Sequence, residues 1–236
     1  MNTVGVGSLS VASSRDYRSD QRDAQARLTR QRVIEAGTAV FLRCGYAAAT
    51  MRAIAAEANV AVPTIELLFG RKSRLLKAAI DVAIAGDHEP VAVLDRNWTD
   101  AALAATSAAE LLAIVAGVLA PAQVRSAGLV LAVFEGAAAD VELAQLATQL
   151  IRQRVKTARW IVARLAEVTP LRTGCTREEA VDTVWLLMDP AVFDRLTRQR
   201  RWTAQHYERW FADSVGRLLV DPTKHQPTST QQGSAT

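Results

Sequence analysis

Residues 50–72, TMRAIAAEANVAVPTIELLFGRK, read as two short helices joined by a tight turn. Met51, Ile54, Ala55 and Ala58 recur at helical spacing behind Thr50, whose hydroxyl suits a helix N-cap. Asn59 tolerates the left-handed backbone that a turn needs, and Pro63 suits the first position of a second helix, where a missing N–H costs nothing. Ile65, Leu68 and Phe69 then supply the buried side, and Gly70 ends the segment. This is the shape of a helix-turn-helix, which places its second helix in the major groove of DNA.

Working towards the amino terminus, the spacing predicts a helix over about 24–44, with Val33, Ala36, Gly37, Val40, Phe41 and Cys44 as its core stripe and Gly45 as its stop. Working towards the carboxy terminus, a fourth helix follows a Ser73 cap and runs to Gly86. Residues 87–98, DHEPVAVLDRNW, lose periodicity around Pro90 and read as a loop or partial helix. Ser107 and Glu110 have capping-box spacing ahead of a helix that yields at Pro121, and another helix is expected over 122–138. Asp140 caps a long helix to about Val168, with Leu143, Leu146, Leu150, Ala158, Ile161 and Leu165 on one side. Thr176 and Glu179 form a second capping box, leading to a helix that ends at Asp189-Pro190. A short helix over 191–200 and a last one over 204–220 complete the pattern. No alternation of period two is long enough for a strand, so the fold class is all-α. Residues 1–22 and 221–236 have little apolar content or periodicity and are expected to be disordered.

Half of the chain is apolar, enough for a substantial core. The formal charge of +4 is unevenly spread: residues 15–77 hold 12 lysines and arginines against 6 acids, while the remainder is slightly acidic. A polyanion suits that basic third. Cys44 and Cys175 have no second cysteine or histidine at metal-ligand spacing, and His88, His206 and His225 are far apart, so no metal and no cofactor is expected. Nucleophile elbow, phosphate loop and zinc-protease motifs are absent, so no catalytic residue is assigned. The apolar run Leu111–Ala122 falls short of the roughly 20 residues needed to span a bilayer. The start MNTVGVGSLSVASSRDYRSD has no secretory pattern, so the expectation is a cytoplasmic protein without membrane contact.

The residues Thr29-Arg30, Phe41, Gly45-Tyr46, Thr50, Ile54-Ala55, Val60, Thr64-Ile65, Phe69-Gly70 and Lys72 together resemble the amino-terminal domain of TetR-family (tetracycline-repressor-like) bacterial transcriptional regulators. The resemblance implies an all-α homodimer that binds a palindromic double-stranded DNA operator, mostly as a repressor, with a larger domain that dimerises and holds a small-molecule effector. Residues 23–72 would be the DNA-binding domain and 73–220 the effector and dimerisation domain. By position, Thr29 and Arg52 would touch phosphates, Val62, Pro63, Thr64 and Glu66 would face the groove, and Lys72 would anchor the next helix's start to the backbone. Arg30, Thr50 and Arg71 complete the DNA-binding set. The chain departs from the family pattern at Asn59, where glycine is common, and at Ala61, where serine is. It departs again at Glu66, Leu67 and Leu68, where a tyrosine and often a second aromatic or histidine stand. Glu66 can instead accept a hydrogen bond from cytosine N4; the alternative is a surface carboxylate paired with a neighbouring cation.

An effector site needs apolar area and a few orienting polar groups, which points to Trp98, Arg125, Phe134, Trp160 and Arg164. The broad apolar faces of 178–188 and 204–220 suggest a four-helix bundle with a second chain, through Val181, Val184, Trp185, Met188, Tyr207, Trp210, Phe211, Val215 and Leu218. The alternatives are a regulator that answers to a protein partner or to no ligand, and, more weakly, an enzyme.

Overall fold

The computed structural model describes residues 10–89 and 91–221, with side chains from residue 21 onward. Among the described residues ten α-helices run in the order α1 Ser10–Ala48, α2 Met51–Ala58, α3 Val62–Phe69, α4 Lys72–Ala85, α5 Trp98–Ala104, α6 Ala108–Gly136, α7 Val141–Val168, α8 Arg177–Leu187, α9 Pro190–Asp194 and α10 Ala204–Leu219. No strand occurs among the described residues; a single antiparallel bridge joins Leu171 to Val220. The chain divides into two compact units, the first ending at Ala79 and the second starting at Ile80.

In the first unit, Val33, Ile34, Ala36, Val40 and Phe41 of α1 are buried with Ile54, Ala55 and Ala58 of α2, Ile65 and Phe69 of α3 and Leu75 and Leu76 of α4. Gly37 belongs to this stripe because a Cβ there would lie 3.3 Å from the Leu75 side chain. Gly45, at φ 73° and ψ 171°, breaks the helical path of α1 where the sequence predicts its stop. The start of α1 is a correction. The helix begins at Ser10, well ahead of Ala24, so the expected disorder does not extend over residues 10–22. No glycine or proline interrupts residues 10–36, and adding a turn to an existing helix costs far less than nucleating one. The expectations for residues 1–9 and 222–236 lie outside the described residues.

The second unit is built around α6, which packs against α5, α7, α9 and α10. Two expected helices are one here, because α6 continues through Pro121 to Gly136. A proline inside a helix costs about 3 kcal/mol; α6 offsets this by burying side chains on both sides of it, from Leu111, Leu112 and Val115 to Leu129, Val130 and Val133. By length and composition α6 could cross a membrane, and half of its most apolar window is buried against its neighbours. The segment after Asp87, expected as a loop or partial helix, contains a 3₁₀ turn at Val93–Asp95 and then α5. Ser107 caps α6 through the Glu110 N–H, but the Glu110 carboxylate returns to the Thr106 N–H, so the capping box is only half formed. At α8 the box is complete.

Residues expected at a dimer interface are divided by the packing. Val181, Val184, Met188, Tyr207, Phe211 and Val215 are buried within this single chain, which corrects their assignment. Each fully buried large side chain contributes about 1.5–3 kcal/mol, so α10, with Tyr207, Phe211, Val215 and Leu219 inward, is held by its own unit. Trp185 and Trp210 are half-buried, and Leu218 is exposed along with Leu186. The apolar faces are broad because α8 and α10 pack on several neighbours at once, which spacing alone does not separate from a partner-facing stripe.

Candidate nucleic-acid interface

Thr50 leaves α1 in an extended conformation, and its hydroxyl oxygen accepts the Ala53 N–H at 3.1 Å, which fixes the start of α2. At the other end Asn59 takes φ 51° and ψ 51°, the left-handed form expected of it, and its N–H returns to the Ala55 and Ala56 carbonyls. Ala61 then precedes α3 without a side-chain cap. A serine there would add about 1 kcal/mol; Pro63, which has no N–H to satisfy, lowers the need for one.

Helix α3 turns Ile65 and Phe69 inward and leaves Pro63, Glu66 and Leu67 exposed, with Val62, Thr64 and Leu68 half-buried. Four of the predicted groove-facing residues therefore share this short helix, two of them fully outward. Arg52 and Arg71 are exposed beside it in sequence, on the second position of α2 and just after Gly70. The Arg30 guanidinium lies 4.5 Å from the centre of the Phe69 ring, a cation–ring contact between α1 and α3. The Thr29 hydroxyl donates to the Gln25 carbonyl at 2.9 Å within α1.

Lys72, expected to anchor the start of the next helix, is engaged within the first unit. Its Nζ donates to the Tyr46 and Ala49 carbonyls at 2.7 and 2.8 Å and stands 4.1 Å from the Tyr46 ring centre. The end of α1 at Ala48 leaves those carbonyls without a continuing helix, and an ammonium satisfies both at once. Lys72 thus clamps the end of α1 to the start of α4. Nearby, the Arg43–Glu57 pair at 3.0 Å ties α1 to α2, but both side chains are exposed and the pair adds little.

In the second unit the five predicted effector residues do not converge. Trp98 and Trp160 meet edge to face at 5.2 Å, and the Trp98 indole N–H donates to the Val93 carbonyl at 2.7 Å. Arg164, expected to hold an anion, donates to the Ala102, Leu103 and Ala105 carbonyls and pairs with Glu167. Arg125 likewise donates to the Ala83 carbonyl at 2.8 Å. Both arginines close helix C-termini, of α5 and α4, where exposed carbonyls carry partial negative charge. Phe134 is half-buried elsewhere, on α6. An open cleft of about 270 Å³ lies between α6, α9 and the start of α10, lined by Gln123, Ala127, Phe193, Asp194 and Trp202 among others, and by none of the five.

Sequence reading missed Arg154. It stands on α7 at a core-facing position between Leu150 and Ala158, and its side chain is 10% exposed. There it pairs with Asp189 at 2.6 Å and lies 4.7 Å from the centre of the Trp185 ring. Burial pushes its pKa below the ordinary arginine value, and the Asp189 carboxylate opposes that shift. The Arg154 Nε and the Trp185 indole nitrogen are buried without a hydrogen-bond partner. The readable signal was the register of the α7 stripe itself, which places a cation where an aliphatic residue belongs.

Comparison with known proteins bears on the first unit directly. Residues 33–79 match the family described as bacterial regulatory proteins, tetR family. This chain carries a TetR-family domain. The matched segment closes at Ala79, where the first compact unit also ends. Solved structures extend the likeness in fold to more of the chain. A SmeT–triclosan complex aligns over 89% of this chain and 100% of its own, at 14% identity and a TM-score of 0.63. The fatty acid degradation regulator FadR from Bacillus halodurans aligns over 79% and 94%, at 16% identity and a TM-score of 0.64. The transcriptional regulator FadR from Bacillus subtilis, solved with stearoyl-CoA, aligns over 78% and 96%, at 17% identity and a TM-score of 0.62. No curated protein sequence matches. Within the TetR-family domain, α2 and α3 are the helix-turn-helix pair, and Lys72 holds their frame.

Proposed function

We propose that this chain is a transcriptional regulator that binds a palindromic DNA operator as a homodimer, most simply as a cytoplasmic repressor, and is released by a small-molecule effector. The observation that carries the proposal is the outward face of α3, in which Pro63, Glu66 and Leu67 stand exposed on a helix that Ile65 and Phe69 hold to a TetR-family domain. A short helix with that face free can enter a major groove. Arg52 and Arg71 supply the flanking positive charge that phosphates require. Residues 23–72 are the DNA-binding part in this reading, and 73–220 the part that dimerises and senses.

For pairing, the exposed Leu186 and Leu218, with the half-buried Trp185 and Trp210, are the residues of α8 and α10 left available once the inward ones are committed. Two copies related by a two-fold axis would present two α3 helices to half-sites about 34–36 Å apart. For sensing, the similar SmeT and FadR structures hold triclosan and stearoyl-CoA, ligands with large apolar bodies. An effector of this chain would release DNA by binding more tightly to the state whose α3 spacing is wrong for the operator.

Selection of bound DNA from a random pool tests the reading. The expected product is an inverted repeat with one half-site per α3, bound by a dimer in sedimentation. Recovery of sequences without a repeat, or a monomer at micromolar concentration, would overturn it.

A further inference from the structure

Leu67 is 87% exposed, the most exposed large apolar side chain among the described residues. A lone leucine on a surface is ordinary; the place of this one is not. It stands four residues after the exposed Pro63, so the two share one face of α3, and it is next to the exposed Glu66. Helix α3, with sequence VPTIELLF, carries no lysine or arginine. Its outward face is therefore an apolar ridge beside a single carboxylate. Leu67 adds nothing to the core that Ile65 and Phe69 form, and it cannot hold a phosphate.

The major groove offers one strongly apolar feature, the C5-methyl group of thymine. We propose that Leu67 is a specificity-determining residue that packs on a thymine methyl in each half-site, beside the base that Glu66 faces. The inference rests on the reading of α3 as the DNA-contacting helix. It adds a rule for the operator: one thymine in each half-site is read through its methyl group. A carboxylate repels phosphate and favours the cytosine amino group, so the same face selects by methyl and amino groups together, with affinity supplied by cations outside α3.

The test uses the full-length protein and the operator obtained by selection, with each thymine replaced in turn by uracil, which differs only in lacking the methyl. One position per half-site should lose about fourfold in affinity, the effect of uncovering one methyl group. The Leu67→Ala protein should bind the thymine and uracil forms alike, and Leu67→Gln should also lose the distinction. Because Leu67 is outside the core, thermal unfolding of both variants should match the parent. Indifference to uracil at every position, or a uracil penalty that persists in both variants, overturns the role of Leu67 and leaves DNA binding standing. Failure to select any DNA sequence overturns the reading of α3 and this inference with it.

Discussion

Helices α3 and α7 break the rule of apolar inside and polar outside in opposite directions. On α3 an aliphatic side chain, Leu67, faces out; on α7 a cation, Arg154, faces in. The inward cation has found partners within its own unit, the Asp189 carboxylate and the face of Trp185, and so joins α7 to the end of α8. The outward leucine has no such use within the first unit. A violation that is satisfied inside the chain serves architecture, whereas one left facing solvent on the second helix of a helix-turn-helix is free for the contact proposed for Leu67.

The architectural side of this comparison predicts the largest effect. Arg154→Ala leaves the mostly buried Asp189 carboxylate unpaired and should cost about 3–5 kcal/mol, read as a lower denaturation midpoint. Arg154→Met combined with Asp189→Asn should recover much of that loss, since neither residue then carries a buried charge. If Arg154→Ala unfolds like the parent, the pair is not a structural tie.

Lys72→Met comes next. Removing two charge-assisted hydrogen bonds to the Tyr46 and Ala49 carbonyls should destabilise the first unit by about 2–3 kcal/mol. It should weaken binding to every DNA sequence alike by loosening the frame of α2 and α3. Faster amide exchange in α2 and α3 would mark a clamp; unchanged exchange with a reduced salt slope would instead mark a phosphate contact.

On the recognition side, Glu66→Ala should relax preference at one base pair by about 1 kcal/mol and leave the salt slope nearly unchanged. Arg52→Ala should do the reverse, weakening all sequences and lowering the slope by about one unit. Equal loss on all sequences for Glu66→Ala would remove it from base reading.

The smallest effect concerns α8. The Thr176 N–H and hydroxyl both donate to the Glu179 carboxylate and hold its pKa below the ordinary 4.5. A carboxyl group with a depressed folded pKa stabilises the fold fully above its unfolded value and loses that contribution as pH falls through the folded one. Melting temperatures of the parent and Glu179→Gln should therefore differ slightly near neutral pH and converge below about pH 4.5. A gap that stays constant down to pH 3 would exclude the titration of Glu179 as its source.

What could be read in advance follows the range of the interactions. The caps at Thr50, Asp140 and Thr176, the left-handed Asn59 and the break at Gly45 are local, set by a residue and its neighbours within one turn, and they stand where spacing places them. So does the helix-turn-helix, whose inward Ile65 and Phe69 and outward Glu66 follow from helical period alone. Helix boundaries that depend on packing were less legible: α6 crosses Pro121 because distant helices bury both of its halves, and α1 extends to Ser10 because nothing in its sequence stops it.

The side chains assigned to a ligand or a partner show the same limit. Arg125 and Arg164 are cations on apolar helices in either case; that they close the ends of α4 and α5 is decided by carbonyls 42 and 59–62 residues away in the chain. Tyr207 and Phe211 look equally suited to a core or an interface until α6 and α8 are seen to cover them. The sequence by itself determined an all-α chain with a helix-turn-helix motif, because helical period, caps and turn residues act over a few positions. Only the tertiary structure decided which charged and apolar groups are already spent within the chain, since hydrogen bonds and burial between distant segments have no local signature.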